Sequence, residues 1–286
     1  MTVQRQWQAP AIKMRWNIVG DNFTHTSGGH TGKCAVHGKM PRYIEWCFNR
    51  EADITFYTDR NIINGVDDRD SSLKFGWLLE SLAMRPAVVR EIKSNHQAFF
   101  KTYRCIFTHN QELLALDRRF KFCPAQGFWI KEVNLHRKSR LVSMISSNKR
   151  LREGHRWRLQ FLEQHRDQFD LYGNGFRHIS RKEIGLNDYM FSVAIENGAY
   201  ATYFTEKVLD CFATGTVPIY RGAPDIGDYF NADGIIMIDD RFCFGDLSPQ
   251  RYESMRDAVE DNFARVCAYE IVEDWIYQTY KDELFC

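Results

Sequence analysis

The stretch YMFSVAIENG at residues 189–198, followed by YFTEKVLD at 203–210 and GTVPIYRGAP at 215–224, reads as one strand–helix–strand unit. The first apolar run is too short for a globular helix. It closes on the polar pair Glu196-Asn197, at the carboxyl edge where open α/β sheets bind their ligands. Thr205 suits a helix N-cap, which places Glu206 and Lys207 in the first turn, and Gly215 can end the helix at positive φ. A helix start offers free N–H groups and the positive end of its dipole, so a diphosphate could rest there with Lys207 as its counter-charge. Glu206 would repel phosphate and is better used on a neutral diol such as a ribose. The same residues also suit an ordinary helix with a solvated lysine.

Outward from this unit the alternation continues. Strands are expected at 141–145, 169–172, 190–195, 216–220 and 234–239, with helices at about 155–167 and 206–214. Toward the amino end, a strand at Met14 to Val19 opens into a polar, glycine-rich loop through Gly32. A helical stretch near Pro41 to Asn49 follows, then strands at 53–57, 73–79, 103–108 and 120–122, with a short helix at 110–116. The basic stretch 135–140 separates two α/β units, residues 1–138 and 139–270. Residues 271–286 form a C-terminal helix, anchored by Trp275, Ile276 and Tyr280 and expected to pack back across the hinge. Such alternation implies parallel sheets with right-handed crossovers.

Composition narrows the function. The chain of 286 residues carries 38 Lys plus Arg against 37 Asp plus Glu, so no global field holds nucleic acid and any phosphate must be gripped locally. The 8 cysteines form no C-x-x-C pair, which speaks for buried free thiols in a reducing compartment and against a zinc or redox site. No apolar run approaches the roughly 20 residues that cross a bilayer, and the first thirty residues lack a secretory leader. A cytoplasmic protein, free or peripheral to a membrane, is expected. The Gly28–Cys34 stretch departs from the phosphate-loop pattern at Ser27 and Cys34. The sequence does not indicate an oligomeric state.

The ordered motifs over about residues 187–240 resemble the donor-site signature of the alpha-1,3/4-fucosyltransferase family, glycosyltransferase family 10. A second, weaker similarity joins Ser146-Ser147-Asn148, the arginine-bearing segment His155-Arg156-Trp157-Arg158-Leu159, and the strand end Asp170 to Gly173. The resemblance implies a GT-B fold, with two Rossmann-like α/β domains facing each other across a cleft. It further implies metal-independent, inverting transfer of L-fucose from GDP-fucose to a glycan hydroxyl, without a cofactor. Its residue roles place Glu206 and Lys207 on the ribose and phosphates, with Glu196, Asn197, Tyr203 and Gly173 around the same pocket. The phosphate-binding arginine falls on Arg156 when the helix is aligned by its apolar face, with Arg158 as the alternative.

An inverting transferase needs a carboxylate beside the acceptor hydroxyl. Glu80 stands just past an apolar strand of the first unit, where ligand-facing residues collect, and the resemblance puts its base after an equivalent strand. Asp59, Asp67, Asp68 and Asp70 read instead as a solvated loop. Trp77, Phe128 and Trp129 suit either core packing or stacking on sugar rings. Asp239-Asp240 reads as a solvent-facing strand end and not as a metal pair. The sequence departs from the family pattern at Gly198-Ala199 and Arg221 and in its short first half, which leaves two other readings open. One is a GT-B transferase using a different nucleotide sugar; the other is a catalytically inactive glycan-binding protein of the same fold.

Overall fold

A computed structural model describes residues 14–20, 23–26, 29–32, 41–46, 52–69, 71–125, 127–150, 153–269 and 271–285. The first half contains β1 (Met14–Val19), β2 (Phe23–Thr26), β3 (Gly29–Gly32), β4 (Ile44–Trp46), β5 (Ile54–Thr58), α1 (Asn61–Asn64), β6 (Leu73–Trp77), α2 (Pro86–Phe99), β7 (Cys105–Thr108), α3 (Gln111–Leu116) and β8 (Phe120–Phe122). The second contains β9 (Arg140–Ile145), α4 (Glu153–Gln164), β10 (Asp170–Tyr172), β11 (Tyr189–Ile195), α5 (Glu206–Ala213), β12 (Val217–Arg221), β13 (Ile236–Met237), α6 (Pro249–Ser254), α7 (Arg256–Cys267) and α8 (Val272–Leu284).

Two parallel sheets result, in the orders β4-β1-β5-β6-β7-β8 and β10-β9-β11-β12-β13. Every residue of β5 and β7 is buried, as parallel strands covered on both faces require. The helices between them start and stop on local signals. Asn110 caps α3 by accepting the Leu113 N–H at 3.1 Å, Pro86 opens α2, and Gly215 closes α5 at φ 67°.

Two expectations fail in the first half of the chain. Residues 44–46 form an edge strand, not part of a helix, because Ile44 and Trp46 bury on one side while Glu45 faces out, and the segment pairs in parallel with β1. The glycine-rich loop folds into the antiparallel hairpin β2–β3, with His25 opposite His30. Lys33, Cys34 and His37 lie outside the described residues.

Helix α8 belongs to the core of the first sheet. Val272, Ile276 and Leu284 are buried against Trp16, Phe56, Phe75 and Trp77. The Asp274 carboxylate accepts the Arg42 N–H at 2.9 Å, and the Tyr280 hydroxyl donates to the Phe122 carbonyl at 2.8 Å. The connector between the sheets is tied to the second lobe. Phe128 and Ile130 are buried in its core, and the Lys138 ammonium donates to the carbonyls of Leu186, Asn187 and Thr214 and to the Thr216 hydroxyl at 2.7–3.3 Å. Burial lowers the Lys138 pKa to about 7. Cys105, Cys123 and Cys211 are buried free thiols, and among the described residues no helix is long and apolar enough to cross a membrane.

Candidate active site

A cavity of about 490 Å³ opens at the carboxyl ends of β9 and β11, beneath the start of α5, and Glu80 of the first lobe contributes to its wall. Of the residues expected there, Glu80, Asn197, Tyr203, Glu206, Lys207, Gly173 and Arg158 line it, whereas Arg156 and Glu196 do not.

The start of α5 is built around Glu196. Thr205 caps the helix from an extended conformation, but its own N–H donates to Glu196 Oε1 at 2.8 Å and its hydroxyl lies 2.8–2.9 Å from both carboxylate oxygens. The Lys207 ammonium donates to Glu196 Oε2 at 3.0 Å and to the Thr205 hydroxyl at 2.8 Å. Glu196 is fully buried, so it stands behind the cavity wall and supplies the anion that this helix dipole favours. The Thr205 N–H is therefore occupied from within the protein. What the helix start presents to a ligand is chiefly the Lys207 side chain.

Glu206 lies 3.6 Å from the Lys207 ammonium and 3.7 Å from that of Lys182. Burial alone would raise its carboxyl, but the two cations override it and hold the pKa down at about 2. Lys182 is held 2.5 Å from Asp210, whose other oxygen accepts the Trp129 N–H at 2.6 Å, and its ammonium sits 4.4 Å over the Trp129 ring. Lys182 escaped the sequence reading because a lysine in a short turn carries no local signal. Of the three aromatics considered, Trp77 and Phe128 are core residues, while Trp129 is 37% exposed and lines the cavity.

The phase of α4 selects Arg158. His155, Arg158, Leu159 and Leu162 are buried at i, i+3, i+4 and i+7, which turns Arg156 to solvent. Arg158 is 6% exposed, and its Nε finds no partner among the described residues. Burial lowers its pKa, opposed by the charges of Glu196 and Glu206. A buried guanidinium with an unused donor in a concave wall is a receptor for an anion, and its planar fork suits phosphate oxygens. Gly173 lets the adjacent strand ends close. At φ 113° a Cβ there would lie 2.0 Å from the Ser146 carbonyl oxygen.

Tyr203 is buried at the seam between the lobes, its ring 4.9 Å from that of His109, and burial raises its hydroxyl pKa well above the usual value. The Thr202 N–H donates to both Asp225 oxygens at 2.9 Å and its hydroxyl donates to the His109 carbonyl, which joins the lobes next to Tyr203.

On the opposite wall Glu80 is 7% exposed. Its backbone is fixed by Asp59, which is no solvated loop residue. Asp59 is 2% exposed at φ 49°, and one carboxylate oxygen accepts the N–H groups of Leu79 and Glu80, each at 3.1 Å. Burial, joined by the charge of Glu80, pushes the Asp59 pKa up to about 6 against the N–H bonds and Arg85. A folded-state pKa above the unfolded value of 3.8 means the ionised form costs stability above pH 6, by about 3 kcal/mol, and the cost disappears as pH falls below about 4. Asp68 is exposed, as the loop reading expects, and also accepts the Tyr57 hydroxyl at 2.6 Å. Asp67 is exposed as expected, Asp239 faces solvent paired with Arg241, and Asp70 lies outside the described residues.

Residues 135–246 match Glycosyltransferase family 10 (fucosyltransferase) C-term. The chain is 32% identical over 63 residues to the alpha-(1,3)-fucosyltransferase FucT of Helicobacter pylori, a stretch covering 22% of this chain and 13% of that protein. Among solved structures, an alpha1,3-fucosyltransferase with GDP superimposes with a TM-score of 0.48 at 13% identity, covering 93% of this chain and 84% of that one. The pneumococcal O-GlcNAc transferase GtfA in complex with UDP and GlcNAc gives 0.47 at 10% identity, over 81% and 56%. The family match falls on the second lobe, and the chain folds into the two parallel α/β lobes expected of a GT-B protein.

Proposed function

We propose that this protein transfers L-fucose from GDP-fucose to a hydroxyl of a glycan acceptor, with inversion at the sugar carbon. The observation that carries the reading is Arg158. It is a buried guanidinium with an unused donor, in the same cavity as Lys207 and opposite a carboxylate of the other lobe. Arg158 and Lys207 hold the diphosphate and stabilise the negative charge that grows on the departing GDP. Glu206 and Asn197 face the ribose, and Tyr203 closes the donor pocket. Glu80 takes the acceptor hydroxyl proton as that oxygen bonds to the sugar carbon and the bond from carbon to phosphate oxygen breaks. The family 10 match over the second lobe and the similarity to an alpha-(1,3)-fucosyltransferase support fucose as the sugar. Buried free thiols support a reducing compartment such as the cytosol.

Two measurements test this. Glu80→Ala is expected to bind GDP like the wild type in calorimetry while turnover of labelled GDP-fucose against a mixed glycan panel falls about 100-fold or more. Retained turnover removes Glu80 from the mechanism. Comparison of GDP, UDP and ADP should favour GDP; a clear preference for UDP rejects the fucosyl donor, and binding without any transfer would indicate a glycan-binding protein.

A further inference from the structure

We infer that Asp59 is the positioning residue for Glu80: its carboxylate clamps the backbone of the turn that aims Glu80 across the cavity. The inference rests on the assignment of Glu80 as the base. Leu78, Leu79 and Glu80 extend β6 beyond its regular pairing, toward the site. Leu78 N–H is held by the Phe107 carbonyl at 2.9 Å, and the next two N–H groups have no strand to pair with. Both go to the single oxygen Asp59 Oδ1. The clamp is reciprocal, since the Asp59 N–H donates to the Trp77 carbonyl at 3.0 Å. A buried acid in the left-handed region at φ 49° is a conformation that aspartate and asparagine tolerate and most side chains do not. The burial is not explained by stability, because the fold disfavours the ionised form of this group. Among the described residues, Glu80 and Arg85 are charged groups that bear on its carboxylate.

The geometry separates positioning from chemistry. Asp59 acts on the backbone amide of Glu80, so its loss leaves the donor wall, with Arg158 and Lys207, in place. A base displaced by about 1 Å loses on the order of 100-fold in rate without a change in substrate affinity.

Asp59→Gly removes the acceptor while keeping the backbone conformation strain-free, and Asp59→Asn keeps an oxygen for both N–H groups. For Asp59→Gly, kcat should fall about 10- to 100-fold, with KM for GDP-fucose within about threefold of wild type. Amide exchange over residues 78–81 should speed up in the same variant. Asp59→Asn should restore kcat to within about fivefold and slow the exchange again. Wild-type kcat in Asp59→Gly, equal losses in the glycine and asparagine variants, or unchanged exchange over 78–81 would each overturn the inference. Glu80→Gln distinguishes the two levels. If it turns over like the wild type, the assignment of the base has failed; if it is inactive while Asp59→Gly is unaffected, only the positioning role has.

Discussion

Arg158→Met tests the diphosphate grip most directly. Methionine fills much of the buried volume and leaves α4 intact, so what is lost is a cation that is 6% exposed and its donors. Two charge-assisted bonds to a diphosphate, each contributing about 1.5 kcal/mol at the low end, amount to about 3 kcal/mol, or about 100-fold in Kd. Arg156→Met, two residues along on the exposed face, should change Kd by less than about fivefold, as for a surface charge. Calorimetric titration with GDP measures both. Thermal unfolding supplies a second reading. At GDP equal to about 100 times the wild-type Kd, the ligand should stabilise the wild type by about 2.7 kcal/mol and Arg158→Met by only about 0.4 kcal/mol. Without ligand the variant should be as stable as the wild type or more so, since an incompletely paired buried charge has been removed. Wild-type affinity in Arg158→Met, or a larger loss in Arg156→Met, would refute the reasoning.

His109 should make the seam between the lobes acid-sensitive. Burial lowers its pKa from 6.5 to about 4, so the neutral ring is favoured in the fold, and stability present above pH 6.5 is lost as pH falls toward 4, by about 3 kcal/mol. Urea unfolding at pH 7 and pH 4.5 should show a smaller loss in His109→Gln; an equal loss would exclude the imidazole as the source. Gly173→Ala should cost at least about 2 kcal/mol and weaken GDP binding, because the added carbon meets the Ser146 backbone and the residue is held at positive φ. A variant with unchanged urea midpoint and GDP affinity would show that the strand ends yield there.

The parts of this fold that could be read from sequence are those fixed by near neighbours. Thr205 and Gly215 mark the two ends of α5 because capping and positive φ are properties of a few consecutive residues. Arg158 was ambiguous for a geometric reason. In sequence Trp157 marks the apolar face of α4, yet it is only partly buried, covered at 4.1 Å by the Arg221 guanidinium and stacked on Phe161. The face that meets the cavity is the one through His155. Glu196 looked like a ligand contact because it ends a strand, and only its pairing with Lys207, 11 positions on, turns it inward. Asp59 was hidden by its polar neighbours; its burial depends on the end of β6, 21 residues away at Glu80. The strand at Ile44–Trp46 was too short to show a period of its own and is defined by its neighbour β1.

The docking of α8 separates the order in which the chain is made from the order in which it can fold. Aromatic residues of β1, β5 and β6 remain uncovered until Val272, Ile276 and Leu284 reach them, and the Asp274 clamp on Arg42 joins residues 232 positions apart. The residues of the second lobe are all made before α8, whereas the core of the first lobe is complete only once residues 272–284 have emerged. In this molecule the half synthesised first is the half completed last.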